Sequence, residues 1–396
     1  MRLVVVSHKP SWRSSLAPGG FATDGGFSFQ MQALASLFDH TSVCVPITGA
    51  AAADGEVALH GERLVVVPLP APSGVGAWRK ALFPVWVLRS LPTLVREVRA
   101  ADAVHAPIPG DVGTMGIVLA HLFRRPLLVR HCGNWTQPRT KAERIWRWYM
   151  ERFAGGRRVM LATGGSDQPP SLRNPAVRWI FSTSLTTDEL DRVAKVRELA
   201  RDHDPRLVIV CRQVEAKGTG RVIEALKVLE GSLPGAILEV VGDGPDLSRF
   251  KALADELGVA DRVHFTGQVG HDGVLAALDR ADLFVFPTTS SEGFPKAPLE
   301  AMASGLPVLA TPVSVLPRLL ASGGGIVLGD AAPDTIAEGI RTATSSPERY
   351  HLLSMRAGEA AASYSLERWA GEIGRQLAAA WSADLRTVSA PSELAS

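Results

Sequence analysis

The sequence predicts two doubly wound α/β domains in tandem, and three observations lead to that reading. Short apolar runs alternate with longer amphipathic stretches through the first half of the chain, the same alternation restarts after residue 205, and a polar, charged stretch at 185–205 separates the two series. A length of 396 residues is enough for two domains that each bury a core.

In the first half, residues 3–6, 43–47, 64–67, 103–105 and 127–129 read as strands, and 30–38, 91–99, 113–123 and 144–153 as helices. Strands that alternate with helices imply a parallel sheet covered on both faces. In the second half, 207–210, 237–241, 263–265, 283–286 and 307–310 read as strands. Residues 221–229, 246–257 and 298–304 read as helices, with Gly258 a natural C-cap for the second. Open parallel sheets bind ligands beyond the carboxyl ends of their strands, so two such sheets facing one another would leave a central cleft. The expected domains are 1–190 and 205–365. Helical runs at 351–362 and 366–381 follow, with residues 366–396 returning to the first domain and ending in a frayed tail at 388–396. A charged helical run is expected to lead up to residue 205.

Composition narrows the class. Hydrophobic residues make up 46% and charged residues 21%, which fits a packed globular protein and not a disordered one. No apolar run is long enough to span a bilayer: the nearest, 81–88, is short, contains Pro84 and is flanked by Arg79, Lys80 and Arg89. The N-terminal run 3–6 is followed by no small-residue cleavage site, so it reads as a buried first strand and not as a signal peptide. Cys44, Cys132 and Cys211 form neither a disulfide framework nor a zinc pattern, and free thiols fit a reducing cytoplasm.

Net charge is +2, yet residues 1–200 hold 24 Lys and Arg against 15 Asp and Glu, while residues 201–396 hold 18 against 25. Such asymmetry suggests two domains with different surfaces. The basic stretch 124–158 is opposed only by Glu143 and Glu151. It reads first as a solvated Arg-rich helix. An acidic acceptor, or peripheral contact with an anionic membrane at the inner face, is the functional alternative. Nucleic acid is not among the expected partners.

The residues that carry chemistry gather in the second half. Residues 281–308 place a strand, a loop holding Glu292, and a helix holding Glu300 eight positions further on. A helix start near Pro298 offers free backbone N–H groups and a positive dipole end, an anion site suited to a diphosphate. Gly293 lets backbone approach a ligand closely, and the two oxygens of Glu300 could accept from both hydroxyls of a ribose.

This stretch resembles the E-x7-E signature of the retaining GT-B glycosyltransferases of family four, written E-G-F-x(4)-L-E-A-M-A-x-G-x-P-V, over some twenty residues with the same spacing. The resemblance implies a GT-B fold, a nucleotide-diphosphate sugar as donor (UDP- or GDP-sugar), and no cofactor. It assigns Glu300 and Leu299 to the nucleotide. Glu292, Gly293, Phe294, Pro295 and Lys296 fall to the transferred sugar and phosphate.

A second motif, Arg212 followed by Lys217 and Gly218, ends the strand 207–210 and opens a helix. Two cations and a glycine-rich helix start would neutralise a departing diphosphate. The motif resembles the family's G-R-x(4)-K-G loop, with Cys211 where glycine is usual. Gly242 and Gly244 sit in a turn similar to the family's V-G-D-G-P, near the nucleotide, and Asp243 reads as a helix N-cap. Gln268 and Val269 match a segment whose backbone meets the nucleobase.

In the first half, Gly25 and Gly26 resemble the family's glycine pair at the donor phosphate; a plain turn is the other reading. His105 and His131 read as strand-end histidines. The resemblance places His131 against the transferred sugar, while His105, Asp111 and Asn134 are weaker acceptor candidates. Asp202-His203-Asp204 fits a metal-binding D-x-D, but it precedes a strand, lies beside Pro205 and reads as solvated linker, so no metal is expected.

The expected reaction is metal-independent transfer of a sugar to a small-molecule, lipid-linked or glycan acceptor, with retention at the anomeric carbon. A GT-B epimerase or phosphorylase, or a non-catalytic nucleotide-sugar-binding protein, is the alternative. An epimerase should carry further carboxylates and histidines, and a phosphorylase of the glycogen type a pyridoxal lysine.

Overall fold

A computed structural model describes residues 1–49, 56–74, 76–138, 140–166, 168–199, 204–290 and 293–386, with backbone alone for 76–80. The chain divides into two compact units. One holds Met1–Gly164, Gln168–Ser184 and the residues from Leu366 on; the other holds Gly165–Asp167 and Leu185–Ser365.

The N-terminal unit begins with β1 (Arg2–Val6), β2 (Ser11–Arg13) and β3 (Phe21–Asp24), then α1 (Phe27–Ala35), β4 (His40–Thr48), β5 (Glu56–Ala58) and β6 (Leu64–Pro70). It continues with α2 (Gly76–Ala100), β7 (Ala103–Ile108), α3 (Asp111–Leu122), β8 (Leu127–His131), α4 (Lys141–Phe153), β9 (Arg158–Thr163) and β10 (Val177–Ile180). The parallel part of its sheet runs β6-β4-β1-β7-β8-β9-β10, so strand order reverses between β1 and β7. Short strands β2, β3 and β5 extend the edge beside β4, with antiparallel pairing between β2 and β3 and between β3 and β5.

Side chains alternate across this sheet. Leu3 and Val5 face one apolar layer, Val4 and Val6 the other. Helix α2 is longer than the expected 91–99 and runs through Pro84 and Pro92. Interior prolines cost a helix a hydrogen bond each, but Trp86, Leu94 and Val98 are buried against the sheet and hold the helix across both breaks. The Trp86 indole also donates to the Pro70 carbonyl at 2.7 Å. Helix α4 starts from a capping box in which Thr140 and Glu143 each take the other's backbone N–H.

The C-terminal unit opens with α5 (Thr187–Val193), β11 (Arg206–Val210), α6 (Thr219–Val228), β12 (Ile237–Val241), α7 (Leu247–Glu256), β13 (Val263–Gly267) and α8 (His271–Arg280). Then come β14 (Leu283–Phe286), α9 (Lys296–Ala303), β15 (Val308–Ala310), α10 (Leu316–Leu320), β16 (Gly325–Val327), α11 (Pro333–Ala343) and α12 (Pro347–Ala361). Its six strands are all parallel, in the order β13-β12-β11-β14-β15-β16. Numbered within the unit, this is 3-2-1-4-5-6, and the reversal point lies between β11 and β14.

In the charged run before residue 205, residues 194–199 are not the expected helix, and 200–203 lie outside the described residues. Helix α5 ends at Val193, and Arg197 beyond it donates to the carbonyls of Leu278, Asp279, Ala281 and Ser304. One guanidinium thus satisfies carbonyls at the ends of α8 and α9, and that pinning replaces helical bonding. Gly258 follows α7 at φ +67°, as a C-cap should.

Helix α13 (Leu366–Trp381) belongs to the N-terminal unit. Trp369, Ile373 and Leu377 are buried in the layer that holds α1, and the Trp381 indole donates to the Arg157 carbonyl at 3.1 Å. The expected tail at 388–396 lies outside the described residues. No described helix is long and apolar enough to cross a membrane.

Candidate active site

In the C-terminal unit the loop after β11 sits beside the strand-order reversal. Hydrogen bonds made by the buried side chain of Gln213 shape it. Its amide donates to the carbonyls of Cys211 at 2.9 Å and Val241 at 3.1 Å, and accepts from the Thr219 hydroxyl at 2.7 Å. The backbone of Gln213 also accepts from Asp246 N–H and donates to the Asp243 carbonyl. The loop is thereby tied to the turn after β12 on one side and to the start of α6 on the other.

The same loop is tied to the segment after β14. The Ala216 carbonyl accepts from Thr289 N–H at 2.9 Å and from the Thr288 hydroxyl at 3.1 Å. Gly218 lies at φ +87°, and a Cβ there would come within 2.5 Å of the Pro287 carbonyl oxygen. Only glycine permits both the left-handed backbone and that approach. Arg212 is exposed and Lys217 half-buried, its ammonium 5.6 Å from the centroid of the Phe286 ring. Both cations therefore sit on a braced loop at the carboxyl edge of β11, beside β14.

Beyond β14, Thr288 and Ser290 are buried, and Thr311 donates to the Thr288 carbonyl. Glu292 lies outside the described residues. Gly293 is half-buried. The Phe294 ring is buried against Tyr364 with centroids 5.6 Å apart, so it anchors the loop through packing. Helix α9 starts at Lys296 with Pro295 as its N-cap, two residues earlier than expected. Pro298 is then the third helical residue and contributes no N–H, so the donors at this helix start are those of Lys296 and Ala297.

Glu300 stands one turn along α9, half-buried, with Lys296 and His271 close enough for their charges to favour its ionised form. Burial is the larger effect and pushes its carboxyl above the usual carboxylate range, assisted by the charge of Glu189. Leu299 is fully buried and contributes apolar packing.

Gly242 and Gly244 have a packing reason to be glycine. A Cβ on Gly242 would lie 2.0 Å from the Cys211 carbonyl oxygen, and one on Gly244 2.2 Å from that of Gln213. Asp243 is not a helix N-cap: α7 begins at Leu247, and the Asp243 carboxylate takes the N–H of Gly244 inside the turn. Gln268 is exposed and Val269 half-buried in the short segment between β13 and α8. Gln213, Thr219, Thr288 and His271 were not singled out from the sequence. The signal available for Gln213 was its position between Arg212 and Lys217, and for His271 its place two residues past Val269.

In the N-terminal unit, Gly25 at φ +61° precedes Gly26, which is the N-cap of α1, and nothing lies within 4 Å of where a Gly25 side chain would be. His131 is the last residue of β8 and is buried beneath Trp135, ring centroids 5.3 Å apart. Burial pushes the imidazole down to about 4, with Glu143 and backbone groups of Gly133 and His131 opposing. It is a neutral imidazole at neutral pH.

His105 is not at a strand end. Strand β7 runs on to Ile108 because Ala106, Pro107 and Ile108 keep pairing with β8. His105 bonds the Leu128 carbonyl at 3.1 Å, and burial, with the Arg130 charge, pushes it down to about 3. Asp111 is the first residue of α3 and exposed, while Asn134 accepts from Thr136 and from Gln137 N–H, bonds that staple its own loop. His8, just past β1, lies against Gly110, just past β7, where strand order reverses: a Cβ on Gly110 would fall 2.4 Å from His8 Nδ1.

Asp202 and His203 lie outside the described residues, and Asp204 accepts from Gly235 N–H at 2.7 Å. Among the described residues, no three of His, Cys, Asp and Glu gather as metal ligands would.

Residues 191–360 match the family Glycosyl transferases group 1. The chain is 27% identical to the alpha-D-kanosaminyltransferase of Streptomyces kanamyceticus over 335 residues, 78% of this chain and 86% of that protein. It is 34% identical to the GDP-mannose-dependent alpha-(1-6)-phosphatidylinositol monomannoside mannosyltransferase of Mycobacterium tuberculosis over 143 residues, 34% of this chain and 37% of that protein. In structure it resembles Anabaena Alr3699/HepE in complex with UDP and glucose, with a TM-score of 0.67, 16% identity and coverage of 95% of this chain and 99% of that one. The fold is GT-B, with two parallel-sheet domains. The named relatives are glycosyltransferases, and the solved neighbour holds UDP and glucose.

Proposed function

We propose that this protein transfers a sugar from a UDP- or GDP-sugar to an acceptor hydroxyl with retention at the anomeric carbon, without a metal ion. The observation that carries the reading is the bracing of two loops at one point. The loop with Arg212 and Lys217 is bonded through the Ala216 carbonyl to the segment leading into α9 and Glu300, at the reversal point of a parallel sheet.

In this reading the nucleotide ribose bonds Glu300. The diphosphate lies against Arg212, Lys217 and the N–H groups of Lys296 and Ala297. Those groups hold the charge that grows on the leaving phosphate, the task a metal performs elsewhere. Gly293 and Lys296 approach the transferred sugar, together with Glu292. Within the N-terminal unit, Gly25 and Gly26 are the candidates for phosphate contact, and His131, a neutral imidazole, is the candidate for sugar contact.

Retention fits front-face attack. The acceptor oxygen forms its bond to the anomeric carbon on the face the phosphate leaves, the bond from that carbon to the phosphate oxygen breaks, and the acceptor's proton passes to the departing phosphate. The acceptor class is small-molecule, lipid-linked or glycan.

The test is thermal denaturation with UDP, GDP, ADP and TDP, on the natural protein and on Arg212→Ala. A nucleotide present at about 100 times its dissociation constant should add about 2.7 kcal/mol to the state that binds it. A rise with UDP or GDP that Arg212→Ala diminishes is the expected result. No rise with any of the four would remove the nucleotide site from this loop pair.

A further inference from the structure

Seven of the exposed large apolar side chains among the described residues lie on three helices of one sheet face. They are Leu82, Val85 and Leu88 on α2, Val118 and Leu122 on α3, and Ile145 and Trp148 on α4. These helices share one apolar layer beneath them. They are also neighbours: the Arg99 guanidinium of α2 stacks over Phe123 just past α3, and His121 of α3 bonds the Tyr149 hydroxyl of α4 at 2.6 Å. Leu88 is 71% exposed, Leu122 68%, Ile145 60% and Trp148 58%, more than isolated surface residues explain when they fall together.

Helix α4 shows how the face is built. Trp146, Tyr149, Met150 and Phe153 turn inward. Lys141, Arg144, Ile145, Trp148 and Arg152 are exposed, and their spacing of three, four, seven and eleven from Lys141 puts them on one outward stripe. Both carboxylates of the helix are engaged away from that stripe. Glu143 closes the capping box with Thr140, and Glu151 pairs with Arg147 and Arg173. The outward charges of α4 are therefore all positive, and they alternate with apolar tips.

We infer that this face of the N-terminal unit lies on an anionic lipid surface, with Ile145, Trp148 and the exposed leucines entering the boundary between headgroups and acyl chains. Lys141, Arg144 and Arg152 reach the phosphates. Charge complementarity selects the occupant: a cationic stripe alone would suit any polyanion, but interleaved aromatic and aliphatic tips gain by leaving water only where an apolar layer lies beneath the anions. The inference is independent of the transfer reaction, since none of these residues belongs to the proposed donor site.

The test is co-flotation of the full chain with vesicles, read as bound fraction against lipid concentration. The protein should float with mixed phosphatidylcholine–phosphatidylglycerol vesicles and remain behind with phosphatidylcholine alone. Ile145→Ser with Trp148→Ser should weaken binding by roughly tenfold or more. Lys141→Ala with Arg144→Ala should weaken it by roughly 30-fold and reduce its salt dependence. All four positions are exposed, so both double variants should keep the melting temperature of the natural protein and its response to nucleotide. Absence of flotation with the anionic vesicles would overturn the inference. So would flotation that the serine variant leaves unchanged, which would mark a surface for soluble polyanions or acidic proteins instead.

Discussion

Thr219 donates a 2.7 Å hydrogen bond to the amide oxygen of Gln213, and through it the first residue of α6 holds the loop that carries Arg212 and Lys217. Gln213 is buried, so its bonds are made without competition from water, and losing them leaves polar groups stranded. Gln213→Leu should lower stability by about 1–3 kcal/mol and raise the nucleotide dissociation constant although it removes no charge. Denaturant unfolding and calorimetric titration check the two effects, and an unchanged dissociation constant would separate the loop's bracing from donor binding.

Arg212→Ala and Lys217→Ala should lower kcat more than they raise KM for the donor. Charge on the phosphate grows from ground state to transition state, so a cation placed there acts mostly on the rate. A loss of roughly 10²-fold in kcat per cation is the expected scale for one such stabilising group. Steady-state kinetics decide it: a rise in KM with kcat unchanged would reduce both residues to binding contacts.

Glu300 ties stability to function in opposite directions. Burial raises its carboxyl above the ordinary 4.5, so ionising it costs more in the folded protein than in the unfolded chain. Below the unfolded value there is no penalty, and as pH rises through the folded value the buried charge costs stability. Glu300→Gln should therefore melt higher than the natural protein without nucleotide at pH 8, with the difference shrinking towards pH 4.5. It should also bind nucleotide more weakly, because the amide has one acceptor oxygen where the carboxylate has two. Melting curves across pH with and without nucleotide measure both. Equal melting temperatures at pH 8 would count against the buried charge.

The N-terminal unit should lose stability in acid before its carboxylates titrate. His105 at about 3 and His131 at about 4 stay neutral when folded and charge near 6.5 when unfolded. Depressed values mean stability that is full above 6.5 and lost as pH falls towards 4, about 2 kcal/mol per histidine between pH 7 and pH 5. His105→Gln and His131→Gln should each flatten about half of that slope in urea unfolding. His131→Gln should also lower turnover, and the natural enzyme's rate should show no acid limb from His131 above about pH 5.

The glycines and cations of the second half are legible in the sequence. Strand-loop-helix order follows from local apolar periodicity, and the spacing from Glu292 to Glu300 is a property of consecutive residues. The same locality explains the misses. Strands β2, β3 and β5 are three or four residues long, too short to show a period, and exist because they pair at the edge beside β4. Helix α2 crosses two prolines because of what lies beneath it.

Chain order and local chemistry were thus enough for the α/β class, the alternation of elements, and the identity of Arg212, Lys217 and Glu300 as residues to watch. Tertiary structure alone decided that Gly242 and Gly244 are glycine because the carbonyls of Cys211 and Gln213 press against them, that Gln213 is the hub of the cationic loop, and that His105 is a buried strand residue. The physical reason is one of range. Periodicity and capping act over a few residues, whereas burial, close approach and hydrogen bonding between loops depend on segments that only the folded sheet brings side by side.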